Sequence, residues 1–113
     1  MSEAATEQTC ELRIRHHLEN RLSELARLCA DARRAAALHY VAGSDAAGRG
    51  YYRYALSDGA QYDELRFFVV PGLACERIEY WFFDDPDSAW RNLSEYYFDA
   101  FLPLWDAWRE QRA

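Results

Sequence analysis

Apolar residues recur at steps of three and four over the first third of the chain, with Ile14, Leu18, Leu22, Leu25, Cys29, Ala32, Ala36 and His39 on one stripe. That is the period of an amphipathic helix. It predicts one long helix from Thr9 to Ala42, with Thr9 as N-cap and Gly43 as the stop. Glu11 with Arg15 and Arg27 with Asp31 are spaced as side-chain pairs one turn apart. At 1.5 Å per residue the helix would be about 50 Å long, so part of it is expected to pack on a second subunit. The small residues Ala30, Ala32, Ala35, Ala36 and Ala37 would permit that close approach.

The pattern then changes to alternation. Leu65, Phe67 and Val69 alternate with Arg66 and Phe68, and Ile78, Tyr80 and Phe82 alternate with Arg77, Glu79 and Trp81, the period of a strand with two unlike faces. Three strands are predicted: Tyr51 to Leu56, Tyr62 to Val70 and Cys75 to Phe83. Ser57-Asp58-Gly59 and Pro71-Gly72 between them are turn sequences, which gives a three-stranded antiparallel meander. If one face lies on helices, Phe68, Trp81 and Phe83 project from the other, where ordinary solvent surface would be less apolar.

Asp85-Pro86-Asp87-Ser88 resembles a helix start, with Asp85 as cap and Pro86 in the first turn. From there Trp90, Leu93, Tyr97, Phe101, Leu104 and Trp108 form a stripe widened by Tyr96, Phe98 and Trp105. Pro103 removes a backbone donor and predicts a kink near Leu102. The expected fold is α+β: long N-terminal helix, three-stranded meander and kinked C-terminal helix, with both helices on one sheet face. Residues 1–8 are expected to be a disordered tail and residues 9–113 one domain.

Composition narrows the function classes. Half of the 113 residues are hydrophobic and 16% are aromatic, which suits an ordered core. Eleven of the eighteen rings fall between Tyr80 and Trp108. The net charge of −6 is concentrated in residues 43–113, where thirteen acids face seven arginines. Nucleic-acid binding needs a cation surplus, so it is not expected. The sequence has neither a long apolar run nor an N-terminal leader pattern, and a cytoplasmic protein without membrane attachment is expected.

Candidate chemistry is sparse. Cys10, Cys29 and Cys75 are odd in number and lack metal or disulfide spacing; Cys29 and Cys75 fit small buried positions, and Cys10 alone is left as a candidate reactive thiol. His16 and Glu19 lie one turn apart, but one helix does not complete a metal shell, and His39 is distant. Asp84, Asp85 and Asp87 are explained by capping. Gly43 to Gly50 echoes a phosphate loop but runs from helix to strand, the reverse of the required order, and is expected to be a linker. No cofactor, metal or catalytic residue is predicted, and the chain is not expected to be an enzyme.

The expected role is protein binding, of the adaptor, chaperone, immunity or inhibitor type. Trp81, Phe83, Trp105, Trp108 and Phe68 would serve as anchors, and Asp84 and Asp85 would steer a partner with a basic surface. A homodimer is also expected. The alternative is an aromatic pocket for a small apolar ligand or an enzymatic site, with Glu76, Glu79 or Tyr80 as its polar group. Flat placement of the surplus rings would favour the first reading, and convergence on a cavity the second.

Overall fold

The computed structural model describes residues 9–57, 59–93 and 95–111. The expected tail, Asp58 of the first predicted turn and the Tyr96 side chain lie outside the described residues. Helix α1 (Cys10–Cys29) is followed by the short α2 (Ala32–Ala36), five strands and a closing helix α3 (Glu95–Glu110). The strands β1 (Val41–Ser44), β2 (Gly50–Ala55), β3 (Gln61–Val70), β4 (Ala74–Asp84) and β5 (Asp87–Leu93) form one sheet in sequence order, every pair antiparallel. The three-stranded meander predicted from sequence is therefore wrong by one strand at each end. None of the described helices is long and apolar enough to cross a membrane.

The single long helix is corrected as well. Thr9 caps α1 as predicted, accepting from the Leu12 amide at 3.3 Å. The helix then ends at Cys29, and Asp31 is not part of it. Its carboxylate caps a new turn instead, accepting from the Arg34 amide at 3.1 Å, the competition with helical hydrogen bonding that short polar side chains offer. Glu11 pairs with Arg91 at 2.8 Å and Arg15 with Glu19 at 3.4 Å, so the expected partners are exchanged. Past Ala37 the chain turns into Tyr40, which is buried, and enters β1.

Asp85-Pro86 does not start a helix. It is a cis peptide in the two-residue turn joining β4 to β5, with Asp84 and Asp87 paired across it. Asp87 does serve a helix N-terminus, but that of α1, where its carboxylate accepts from the Cys10 amide at 2.8 Å. The C-terminal helix α3 runs through Pro103 as one element. Asp99 and Pro103 both face solvent, so the carbonyl deprived of its donor can be hydrated. The phosphate-loop look-alike is the β1–β2 turn. Asp45 fills it, accepting from the Ala47 and Arg49 amides at 3.0 and 2.8 Å.

Both flanking helices pack on the same side of the sheet. Ile14, Leu18, Leu25 and Leu28 of α1 and Phe101, Leu104, Trp105 and Trp108 of α3 close over Leu65, Phe67, Ile78, Tyr80, Phe82, Ala89 and Leu93. Within this core Trp105 lies 4.9 Å from Trp108, 5.2 Å from Tyr52 and 5.5 Å from Tyr40, centroid to centroid. Its indole N–H donates to the Leu73 carbonyl at 2.7 Å. That bond ties α3 to the β3–β4 turn, where Pro71-Gly72 occupies the centre, Gly72 has φ 94° and Leu73 donates back to Val70 at 3.0 Å, the features of a type II turn.

One polar cluster is embedded beneath α1. Asp63 is 3% exposed and receives Arg21 Nε at 2.7 Å and Nη2 at 2.9 Å, Ser57 Oγ at 2.6 Å and Tyr80 Oη at 2.7 Å. Burial pushes the Asp63 carboxyl up, but the bonds from Arg21, Ser57 and Tyr80 outweigh it and hold the group below its ordinary range. His17 stacks on Phe82 beside this cluster at 4.1 Å, and its burial depresses its basicity. A cleft of about 150 Å³ lined by His17, Arg21, Ser57, Gln61, Tyr62, Asp63 and Phe82 opens here. With all four donors converging on one carboxylate, the cluster's evident role is to fasten α1 to β3 and β4.

The thiols are quiet in this fold. Cys10 is fully buried, which removes it as a candidate reactive thiol, and burial raises its pKa. Burial likewise raises Cys29, and pushes Cys75 up to about 11. Titration with a chromogenic disulfide reagent at neutral pH is expected to be slow at every cysteine in the native protein and complete in denaturant; a Cys10 that reacts as fast as free thiol would contradict this packing.

Candidate functional site

The face of the sheet turned away from the helices is built by β2, β3 and β4, with contributions from β5. Its rows follow from the register: Tyr51, Phe68 and Arg77 face one another across the strands, then Arg53, Arg66, Glu79 and Asn92, then Glu64, Trp81 and Trp90, then Tyr62, Phe83 and Ser88. Period-two alternation puts all of them on one side while Leu65, Phe67, Ile78, Tyr80 and Phe82 go to the core. Among the described residues, no helix covers this face.

The rings there are organised by arginines. The Arg66 guanidinium lies 3.9 Å from the Trp81 ring centroid and 4.8 Å from that of Tyr51, and Arg77 sits over Trp90 at 5.5 Å, distances at which cation–π attraction is effective. Trp81 is nearly parallel to Phe83 and to Trp90, with centroids 5.6 and 5.9 Å apart, and Tyr62 is nearly parallel to Phe83 at 4.5 Å. Beneath them Glu64 accepts from Arg53 Nη1 at 3.1 Å and Arg66 Nε at 2.6 Å. Glu79 accepts from Arg77 Nε at 2.7 Å and Trp81 Nε1 at 2.9 Å. Both glutamates are buried, at 2% and 4% exposure, yet each is paired, which is what makes a buried charge tolerable. At the β1 edge the Tyr51 ring rests on Gly43, where an added Cβ would stand 3.0 Å from it.

Of the anchors expected from sequence, Trp81, Phe83 and Phe68 lie on this face. Phe68 is only 2% exposed because Tyr51 and Arg49 cover it, at 5.1 and 5.2 Å. Trp105 and Trp108 are in the core on the other side, at 0% and 7% exposure, and offer no surface. Asp84 sits at the β4–β5 end of the sheet bonded to Arg13, and Asp85 is exposed at the turn. Glu79 and Tyr80 point to opposite faces and Glu76 is exposed, so these three do not converge on one pocket.

Sequence reasoning misses Trp90, the most exposed large ring of the face at 43%, because the apolar spacing puts it on a helix. It also misses Arg53, Arg66 and Glu64, although the alternation that places Phe68 outside places Glu64 and Arg66 beside it. A separate apolar cleft of about 410 Å³ between α1 and α3 is lined by Leu22, Ser23, Ala26, Cys29, Tyr97, Ala100 and Phe101 and contains no residue with candidate chemistry in the sequence except Cys29. Among the described residues no three His, Cys, Asp or Glu side chains form a metal-binding group. Comparison with known proteins adds no relative: the chain matches no family model, no curated protein and no solved structure.

Proposed function

We propose that this chain is a protein-binding module whose working surface is the open face of its sheet. The observation that carries the reading is the contiguous placement of Tyr51, Tyr62, Trp81, Phe83 and Trp90 on a face that the described helices leave uncovered. A stable fold does not need such an aromatic row outside its core, whereas Trp, Tyr and Arg side chains are the usual anchors of interfaces. The rings are held by guanidinium groups and by one another, so little side-chain freedom remains to be lost on binding.

Trp90→Ala provides the test, because Trp90 is the ring least used by the fold. The substitution removes the contacts with Trp81 and Arg77, so it is expected to lower unfolding free energy by about 1–2 kcal/mol while leaving the chain folded, and to weaken a captured partner by about 2 kcal/mol, near thirtyfold in Kd. Denaturant unfolding and calorimetric titration of the wild-type and variant chains measure the two effects. Unchanged affinity for every polypeptide that the wild-type chain captures would overturn the assignment of this face.

A further inference from the structure

Resting on the protein-binding reading, we infer that the polypeptide taken by this face is acidic: its carboxylates are received by Arg53, Arg66 and Arg77, and its apolar side chains lie along Trp81 and Trp90. Each of these arginines spends one nitrogen on a buried glutamate, Arg53 through Nη1 and Arg66 and Arg77 through Nε. Their other N–H donors make no further hydrogen bond within the described structure. Glu64 and Glu79 therefore orient the guanidinium groups from below; the two carboxylates are 2% and 4% exposed, the Arg53 and Arg77 side chains are 38% and 28% exposed, and Arg66, packed against Trp81 and Tyr51, is the least open of the three at 15%.

Charge points the same way. Arg49, Arg53, Arg66 and Arg77 against Asp45, Glu64 and Glu79 give this face a surplus of one positive charge, 4 − 3, on a chain whose net charge is −6. Asp84, the acid nearest the end of the face, is taken by Arg13.

Arg53 and Arg66 are paired across β2 and β3, about 5 Å apart, and Arg77 is displaced two residues along β4, about 8 Å from Arg66 and about 12 Å from Arg53. An extended segment places alternate side chains about 7 Å apart, so acidic residues two to four positions apart fall within reach of these arginine side chains.

The test titrates the full chain, by tryptophan fluorescence, with a short peptide alternating Glu and Leu, with its Lys–Leu counterpart and with a short oligothymidylate. The Glu–Leu peptide is expected to bind, to weaken as salt is raised, and to lose roughly tenfold or more in affinity to Arg53→Gln/Arg77→Gln, a loss of charge-assisted hydrogen bonds. Arg53→Lys/Arg77→Lys, which keeps the charge and the pairing to Glu64 and Glu79, is expected to recover part of it; circular dichroism establishes that each variant is folded. Equal or tighter binding of the Lys–Leu peptide or of the oligothymidylate, binding insensitive to folded Gln variants, or no binding of any probe would overturn the acidic assignment. The protein-binding reading would then still be judged by Trp90→Ala against a captured partner.

Discussion

Asp63→Ala is expected to destabilise the fold by about 3–5 kcal/mol, the loss typical of removing one partner from a buried ion pair. The carboxylate is 3% exposed and accepts from Arg21, Ser57 and Tyr80 together. Without it the Tyr80 hydroxyl stays buried with no acceptor, and the Arg21 guanidinium keeps only Glu24 at 3.0 Å, a partner exposed enough that Glu24→Ala should cost no more than about 0.5 kcal/mol. Replacing the cluster by apolar side chains of similar size, Arg21→Met with Asp63→Leu and Tyr80→Phe, is expected to recover much of the loss, because the penalty arises from stranded polar groups. Denaturant unfolding of the set decides the matter; an Asp63→Ala loss below about 1 kcal/mol would contradict the role given to this cluster.

The same cluster sets the acid limit of the fold. Asp63 is held below its ordinary value of 3.8, and His17 below its ordinary 6.5. A group depressed in the folded state contributes stability above its unfolded pKa and loses it as pH falls through its folded pKa. Stability should therefore decline in two stages, the first as pH falls below the ordinary histidine range and the second below the ordinary carboxylate range. His17→Gln is expected to flatten the first stage. Unfolding measured across this pH range checks the order, and stability that rises on acidification would refute it.

Trp105→Ala is expected to cost about 3–5 kcal/mol, the range for truncating a large buried ring. Trp105 is fully buried, touches Tyr40, Tyr52, Phe67 and Trp108, and holds the Leu73 carbonyl with its indole N–H. Leu73 has a left-handed backbone, φ 64°, which a non-glycine residue adopts only when its surroundings hold it there. The variant should therefore lose both core volume and the link between α3 and the β3–β4 turn. Compared with Trp90→Ala, it separates two aromatic populations, one that stabilises the fold and one presented by the sheet. A Trp105→Ala variant with near-native stability but abolished partner binding would reverse that division.

That division is only half legible in the sequence. Alternation in β3 and β4 is strong because one face is buried, so periodicity alone separates Leu65, Phe67, Ile78, Tyr80 and Phe82 from Phe68, Trp81 and Phe83. The same alternation carries Asp63 inward with Leu65, and Arg21 lies beside the Leu18, Leu22 and Leu25 stripe. Those two residues form a readable pair, yet they match no catalytic or metal-binding spacing and so draw no notice as a motif. β1 leaves no such trace: Val41, Ala42, Gly43 and Ser44 are all exposed on an edge strand, and their strand character comes from pairing with β2. β5 is obscured by Asp85-Pro86-Asp87-Ser88, since proline flanked by aspartates suits a turn as well as a helix start. Losing β5 moves Trp90 onto a helix and places Trp105 and Trp108 among the surface anchors. Which rings of α3 are inside depends on where the sheet lies, and that is fixed by contacts distant in sequence.

The claim that the open sheet face is the working surface is tested most directly by native mass spectrometry of the chain recovered gently from its own host, wild type beside Trp90→Ala and Leu12→Ala. Leu12 is 70% exposed on α1, on the helix side of the molecule. The predicted result is a stoichiometric second polypeptide on the wild-type chain, retained by Leu12→Ala and lost or sharply reduced in Trp90→Ala. A bare homodimer, a retained small molecule without a second polypeptide, or a partner lost in Leu12→Ala and kept in Trp90→Ala would contradict it.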